Sequence, residues 1–147
     1  MAKVINDINL LLPDFKIIVI KIISLISELN YNFKVFETFR TQETQQEYFK
    51  RGVTKCDGII KKSPHQLNKA VDFVYWTGNN WSWDYVKFPY ISFGYEVLKQ
   101  FEDKIKWGGV WSDVKANNET LESFTAKVNQ RIKDKKFVDM PHYEKRG

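Results

Sequence analysis

The chain has 147 residues, 43% of them apolar and 28% charged, a composition that fits one soluble globular domain. Its formal net charge of +5 favours anionic partners such as nucleic acid, phospholipid head groups or an acidic cell wall, but no arginine-rich stripe or familiar nucleic-acid motif accompanies it. The single cysteine, Cys56, excludes an internal disulfide and a cysteine-based zinc cage.

The N-terminal segment predicts a helix rather than a signal peptide or a membrane span. Acidic residues interrupt the short apolar stretch of "MAKVINDINLLLPDFK", and no small-residue cleavage site follows it. The run "FKIIVIKIISLISEL" is broken by two lysines and is shorter than the roughly 20 residues that a span requires. Its β-branched residues would also suit a strand, but apolar side chains repeat at helical spacing over 14–29, behind Pro13. We therefore expect no signal peptide, no membrane insertion, and a chain kept in the cytoplasm until another factor releases it.

Strands and helices then alternate along the chain. "FKVFETF", over 33–39, alternates as a strand does, and "TQETQQEYFKRG" predicts a short helix with Thr41 as its N-cap and Gly52 at its end. The other predicted elements are a loop over 53–68, a strand over 69–76, a turn-rich connection over 77–84, a helix over 90–105, a loop over 106–111, a helix over 118–133 and a final strand over 141–145. We expect a single compact α+β domain over residues 1–147, with a small antiparallel sheet and flanking helices.

Both histidines of the chain, His65 and His142, stand near strand-like segments. Seven positions separate His65 from Asp72, which would place their Cα atoms about 23 Å apart on a strand and about 10 Å apart on a helix. The chain must therefore turn between them if they share one ion, and Asn68, which tolerates left-handed backbone, stands where that turn would fall. Asp72 belongs to an otherwise apolar strand, where a buried carboxylate needs a metal or a basic side chain as its partner.

Two histidines and an aspartate match the ligands of an open catalytic zinc site. Each residue alone also has a structural interpretation: His65 as a surface loop histidine, Asp72 as a strand-end carboxylate bonded to backbone, and His142 as a tail residue. Spacing alone leaves both interpretations open.

Four ordered segments carry a resemblance to a known family. "SPHQLNKAVD" resembles the S-x-H-x-x-G-x-A-x-D segment of the zinc peptidases that comprise D-Ala-D-Ala carboxypeptidases and L-alanyl-D-glutamate endopeptidases. "DMPHYE" is similar to that family's D-x-P-H segment, which an aromatic residue and Glu or Gln follow. "TFRTQETQQEYFKRG" resembles its G-Y-R-S-x-x-x-Q-x-x-L-Y-x-x-G stretch, and "WGGVW" resembles the loop before its last ligand. Order and spacing agree across residues 33–144, and in size the chain most resembles the phage endolysins of this family.

The resemblance implies a role for each matching residue. It implies that a zinc ion, carried by the small sheet, is bound by His65, Asp72 and His142. It implies that Asp139 is the general base and that Arg40 binds or polarises the substrate carbonyl. Supporting roles fall to Gln45 beside Arg40, to Ser63 in orienting the His65 loop, and to Glu144, which is expected on the same strand face as His142.

The chain departs from the family pattern at several positions. Asn68 replaces a glycine, Phe39 replaces a tyrosine, and residues 112–137 form a long connection, a helical insertion before the last ligand. This connection is expected to be a helix packed on the domain, with a lid, a wall-binding helix or a partner site as alternatives. The tryptophans could line a groove or pack in the core. Core packing is favoured for each of them: Trp76, Trp81, Trp83, Trp107 and Trp111.

The resemblance implies hydrolysis of peptide bonds in the stem peptides of bacterial peptidoglycan. Without a predicted signal peptide, we expect an endolysin with L-alanyl-D-glutamate endopeptidase activity, acting on the cell wall after release from the host cytoplasm. The alternative is a D-Ala-D-Ala carboxypeptidase. A non-catalytic zinc-containing module that binds cell wall or protein is an alternative of another class, but it would need neither Arg40 nor Asp139. We expect peptidoglycan as the partner, no nucleic acid, and a monomer.

Overall fold

The computed structural model describes residues 4–147. Residues 1–3 belong to the predicted domain and to the N-terminal segment that was compared with a signal peptide, and they lie outside the described part. The described residues form four α-helices: α1 (Pro13–Glu28), α2 (Gln42–Lys50), α3 (Tyr90–Phe101) and α4 (Leu121–Lys133). They also form five strands: β1 (Phe33–Glu37), β2 (Ala70–Trp76), β3 (Trp81–Ser82), β4 (Ile105–Trp107) and β5 (His142–Lys145). Every pairing is antiparallel, in the order β1-β2-β5-β4, and β3 pairs with the end of β2. The predicted compact α+β fold with a small antiparallel sheet is confirmed.

Strand β2 separates a core face of the sheet from a polar face. Val71 and Phe73 are fully buried in the hydrophobic core, whereas Asp72 points to the opposite face because side chains alternate along a strand. The same alternation in β5 places Tyr143 in the core and His142 opposite Asp72. Helices α1 and α3 cover the core face with apolar side chains that include Phe15, Val19, Ile22, Phe93, Val97 and Leu98. Asp72 and His142 therefore lie next to each other on the face of the sheet that is turned away from the core.

The predicted N-terminal helix is confirmed as α1, with Pro13 as its first residue. The predicted helix over 90–105 is too long, because α3 ends at Phe101. Ile105 and Trp107 are fully buried and alternate with Lys106, so this segment pairs with β5 as an edge strand instead. No helix among residues 4–147 combines the length and apolar character needed to cross a membrane.

Two further boundaries differ from the prediction. Strand β1 ends at Glu37 rather than at 39, because the backbone N–H and the hydroxyl of Thr38 donate to the carbonyl of Ile5, which diverts the chain from the ladder. The connection predicted as turns contains the two-residue strand β3. Helix α2 begins after Thr41 as predicted, since the Thr41 hydroxyl accepts the backbone N–H of Thr44.

The connection over 112–137 packs its helix on the rest of the fold. Helix α4 begins at Leu121 rather than at 118, after Thr120 and Ser123 exchange reciprocal capping bonds. Phe124 is fully buried, with its ring centroid 5.2 Å from that of Tyr95 and 6.0 Å from that of Trp107. These contacts tie the connection to α3 and β4.

Candidate metal centre

Three potential metal ligands meet on the polar face of the sheet. Asp72 of β2 lies directly opposite His142 of β5 in the strand register, and the loop before β2 brings His65 to the same point. One carboxylate oxygen, Oδ1 of Asp72, lies 3.2 Å from Nε2 of His65 and 3.2 Å from Nδ1 of His142. Ligand atoms of the three residues all lie within 4.8 Å of one another, so the cluster could hold a metal ion. The structure thus brings His65, Asp72 and His142 together, as expected from the sequence.

The outer nitrogen of each imidazole is held by an acceptor. Nδ1 of His65 lies 2.8 Å from the carbonyl oxygen of Thr38, which only accepts, so Nδ1 carries the proton in this contact. Nε2 of His142 lies 2.9 Å from Oε1 of Glu144 in the same way. In the neutral imidazoles the lone pairs therefore face Asp72, where two lone pairs and a carboxylate converge with no proton between them. This arrangement fits a cation, and carboxylate or carbonyl support behind histidine ligands is common in metal sites.

The pKa values of Asp72 and His142 are both strongly shifted, and the hydrogen bond between these two residues contributes to both shifts. Burial raises the pKa of Asp72, but the charges of His65 and His142 and the hydrogen bonds to them outweigh burial and hold that pKa well below its usual range. Burial lowers the pKa of His142, but hydrogen bonds to Asp72 and Glu144 dominate and raise it to about 10. Positive charge is therefore favoured beside Asp72, whether a proton or a metal ion supplies it.

Two turns position His65. The backbone N–H of Ser63 donates to Oε1 of Gln66 at 3.0 Å, and the N–H of Gln66 donates back to the Ser63 carbonyl at 3.0 Å. Asn68 adopts a left-handed backbone with φ of 60°, and its side-chain amide donates to the carbonyl of Leu10 at 2.7 Å. The turn predicted at Asn68 is confirmed, which explains how an asparagine serves where the resembling family has glycine.

Asp139 lies beside the cluster because Gly108, the first glycine of "WGGVW", allows the backbone to approach. The N–H of Asp139 donates to the carbonyl of Gly108 at 2.8 Å, and the N–H of His142 donates to the carbonyl of Asp139 at 3.1 Å. A Cβ atom at Gly108 would lie 2.2 Å from the carbonyl oxygen of Asp139, so only glycine permits this approach. Burial and the nearby Asp72 charge raise the pKa of Asp139 to about 6. A cation bound at the cluster would lower this pKa again, because nearby positive charge favours the ionised carboxylate, which is the form that accepts a proton.

Arg40 reaches the same cleft from a buried polar network. Its Nη1 donates to Oε1 of Gln45 at 2.8 Å, and its Nη2 donates to Oε1 of Glu37 at 2.5 Å. The guanidinium carbon lies 4.6 Å from the ring centroid of Tyr48. Gln45 is fully buried and donates to the carbonyl of Cys56 at 2.8 Å, so it supports Arg40 from behind instead of facing the cleft. The network fixes the orientation of the guanidinium.

The cluster opens into a cleft of about 670 Å³ that contains every predicted site residue except the buried Gln45. Aromatic side chains form its walls, namely those of Phe36, Tyr48, Trp83, Trp111 and Phe137. The expectation that each tryptophan packs in the core is correct for Trp107, which is fully buried, and wrong for Trp83 and Trp111. A cleft of this size, lined by aromatic side chains and a few polar groups, is typical of a ligand-binding site.

A family model for phage L-alanyl-D-glutamate peptidases matches residues 2–145. The chain belongs to the phage L-alanyl-D-glutamate peptidase family. The membership expected from the four sequence segments is thus confirmed. No curated protein matches the chain. Among solved structures, the crystal structure of the L-Ala D-Glu endopeptidase ChiX of Serratia marcescens is similar, with a TM-score of 0.59 and 20% identity over 95% of this chain and 83% of that one. At 20% identity, this similarity shows the fold alone.

In this member of the phage L-alanyl-D-glutamate peptidase family, the sequence interpretation missed Glu37. A β-bulge between Val35 and Glu37 brings Glu37 opposite Asp72, so that Glu37, Asp72 and His142 form one row across three strands. Glu37 is 2% exposed and is the acidic partner of Arg40. The available signal was its place in "FKVFETF", where it follows Phe33 and Val35 in the apolar phase of the alternation.

Proposed function

We propose that the chain is a zinc peptidase that hydrolyses the L-alanyl-D-glutamate bond in the stem peptides of bacterial peptidoglycan, and that this activity lyses the cell wall. The observation that carries the proposal is the meeting of His65, Asp72 and His142 in one cleft with Asp139 and Arg40. Membership of the phage L-alanyl-D-glutamate peptidase family supports the choice of bond over a terminal D-Ala-D-Ala.

Zinc is the proposed metal because of the donor set. Two imidazole nitrogens and one carboxylate oxygen are the protein ligands of open catalytic zinc sites, which leave a position free for the reaction. A zinc ion held by His65, Asp72 and His142 would supply Lewis-acid chemistry, polarising a carbonyl group and making water more acidic. Glu144 and the Thr38 carbonyl would keep the two imidazoles in the required tautomers.

Asp139 is the proposed general base. Its carboxylate lies in the cleft beside the cluster and takes a proton from the attacking water, then delivers it to the amine that leaves. Arg40 is proposed to donate to the carbonyl oxygen as negative charge develops there, from the orientation that Glu37 and Gln45 impose. A non-catalytic module would have no need for a buried Arg40–Glu37 ion pair lining the same cleft as the cluster, because burying an ion pair brings little net stability.

The proposal is tested by mass spectrometry of purified peptidoglycan digested by the zinc-loaded protein. Fragments with a new N-terminal D-glutamate are expected, and Asp139→Asn is the matched control that should release almost none. Loss of terminal D-alanine instead would identify a carboxypeptidase. If wild-type protein binds sacculi and releases no fragment, the wall-binding alternative is correct and the proposed activity is wrong.

A further inference from the structure

The cleft contains two cations that the proposed chemistry does not use. Besides the two histidines of the cluster, three basic side chains line it: Arg40, Lys55 and Lys61. Arg40 is hydrogen-bonded to Glu37 and Gln45 and already has a role in the proposed chemistry. Lys55 and Lys61 take part in no ion pair among residues 4–147. An unpaired ammonium on the wall of a substrate cleft is available to an anionic group of the substrate.

Of these two lysines, Lys55 has its ammonium group against aromatic side chains that extend to the metal cluster. Its Nζ lies 5.2 Å from the ring centroid of Phe137. The Phe137 ring stacks on Trp111 with centroids 5.8 Å apart, and the Trp111 ring lies 5.5 Å from the ring of His142. Lys55 therefore stands along one continuous wall of the cleft, beyond two rings from His142.

This wall is held in place by unusual local structure. Trp111 has a left-handed backbone with φ of 52°, which side-chain-bearing residues rarely adopt and which persists only where surrounding contacts impose it. Its indole Nε1 donates to the carbonyl of Phe137 at 3.2 Å, and the Arg131 guanidinium donates to the carbonyls of Gly109 and Phe137. The end of the long connection, at Phe137, is thus fastened to the loop that follows β4, and both Phe137 and Trp111 line the cleft.

The chemistry of the substrate says what such a cation would bind. A glutamate residue has two carboxyl groups, and a peptide chain uses one of them, so the other stays free and anionic next to the scissile bond. We propose, resting on the proposed L-alanyl-D-glutamate hydrolysis, that Lys55 binds this free carboxylate and makes the enzyme select stem peptides in which it is not amidated. Phe137 and Trp111 position the ammonium and exclude water from one side of the contact.

The test uses two synthetic stem peptides that differ only in whether the free carboxyl of glutamate is a carboxylate or an amide. Values of kcat/KM are measured for the zinc-loaded wild type, Lys55→Met, Lys55→Arg and Lys61→Met. Lys62→Met is the matched control, because Lys62 is an exposed neighbour that does not line the cleft. Binding of both peptides to the Asp139→Asn variant, with and without Lys55→Met, gives a readout that does not depend on turnover.

We expect the wild type to prefer the carboxylate peptide by about three- to tenfold, between the effect of an exposed ion pair and that of an enclosed charged hydrogen bond. Lys55→Met should abolish the preference by lowering kcat/KM for the carboxylate peptide, Lys55→Arg should restore it, and Lys62→Met should retain it. A preference that survives in Lys55→Met, or that disappears only in Lys61→Met, overturns the assignment to Lys55. If the wild type cleaves both peptides equally, the proposed function stands and this inference is wrong; if it cleaves neither, both are wrong.

Discussion

Replacing Asp139 with asparagine is expected to remove activity while making the metal-free protein more stable. Asparagine keeps the shape of the side chain and removes the oxygen that accepts a proton. If Asp139 is the general base, turnover should fall by about two to four orders of magnitude. The zinc content should stay the same, because His65, Asp72 and His142 are untouched.

The stability gain follows from the pKa of Asp139. Burial and the charge of Asp72 move this pKa from 3.8 to about 6, which corresponds to about 3 kcal/mol against the ionised form in the folded state. Asp139 is partly exposed, so solvent screening reduces the effect to about 1–2 kcal/mol. For a domain of this size, that raises the melting temperature by about 3–6 °C.

The raised pKa of Asp139 also predicts the sign of the stability gain and the pH range in which it is seen. Because the folded-state pKa lies above the unfolded-state value, the folded protein with Asp139 loses stability as the pH rises from about 4 through about 6. The asparagine variant has no such loss, so the difference between variant and wild type should be small near pH 4 and full above about pH 7.

The assay is thermal unfolding of both proteins at pH 5 and pH 8 in the presence of a chelator, together with hydrolysis of purified peptidoglycan after zinc loading. The expected result is a variant that is inactive with zinc and melts higher than wild type at pH 8, with a smaller difference at pH 5. Retained activity would assign proton transfer elsewhere, with Glu144 as the next candidate. Loss of zinc together with activity would make Asp139 a ligand or the support of one. A melting temperature below that of wild type at pH 8 would refute the argument from burial.

Four further substitutions probe the rest of the site. His65→Ala and His142→Ala should each lose the single zinc ion expected per chain, as measured by metal analysis; full retention in both would disprove the ligand set. Arg40→Lys keeps the charge but loses the planar fork that bonds two partners, so kcat/KM should fall by about tenfold or more. The melting temperature should also fall, because Glu37 or Gln45 then lacks a buried hydrogen-bond partner, and wild-type hydrolysis would contradict the proposed role of Arg40. Gly108→Ala places a Cβ atom 2.2 Å from the carbonyl oxygen of Asp139, so peptidoglycan hydrolysis should fall strongly, and a fully active variant would show that this approach is not required.

Local sequence patterns determined those helices and strands that are long enough for their apolar residues to repeat at one regular spacing. Helix α1 was predictable because apolar residues recur at helical spacing over 16 residues behind Pro13. Strand β4 was not predictable as such, because the three residues Ile105–Trp107 are too few to show alternation against the helix that precedes them. Their strand conformation depends on pairing with β5, which lies far along the chain.

The site shows the same division. The order of the motifs identified His65, Asp72 and His142. The turn at Asn68 was predictable because neither a strand nor a helix could bring His65 and Asp72, seven positions apart, to one ion. Their meeting at one point is a tertiary property, because the register of β2 against β5 places Asp72 opposite His142 across 70 positions of sequence. No spacing rule encodes a register, which is set by the packing of Val71, Phe73 and Tyr143 on the core face.

The tertiary structure alone decided which side chains surround the cluster. Glu37 faces Asp72 only because a β-bulge shifts β1 by one residue, and an alternating pattern does not reveal a bulge. Trp111 and Trp107 stand four residues apart in one motif, yet one lines the cleft and the other fills the core, because the backbone turns through a left-handed conformation at Trp111. Composition and motifs state which residue types a chain carries, whereas the direction of each side chain depends on long-range packing that acts after the local elements have formed.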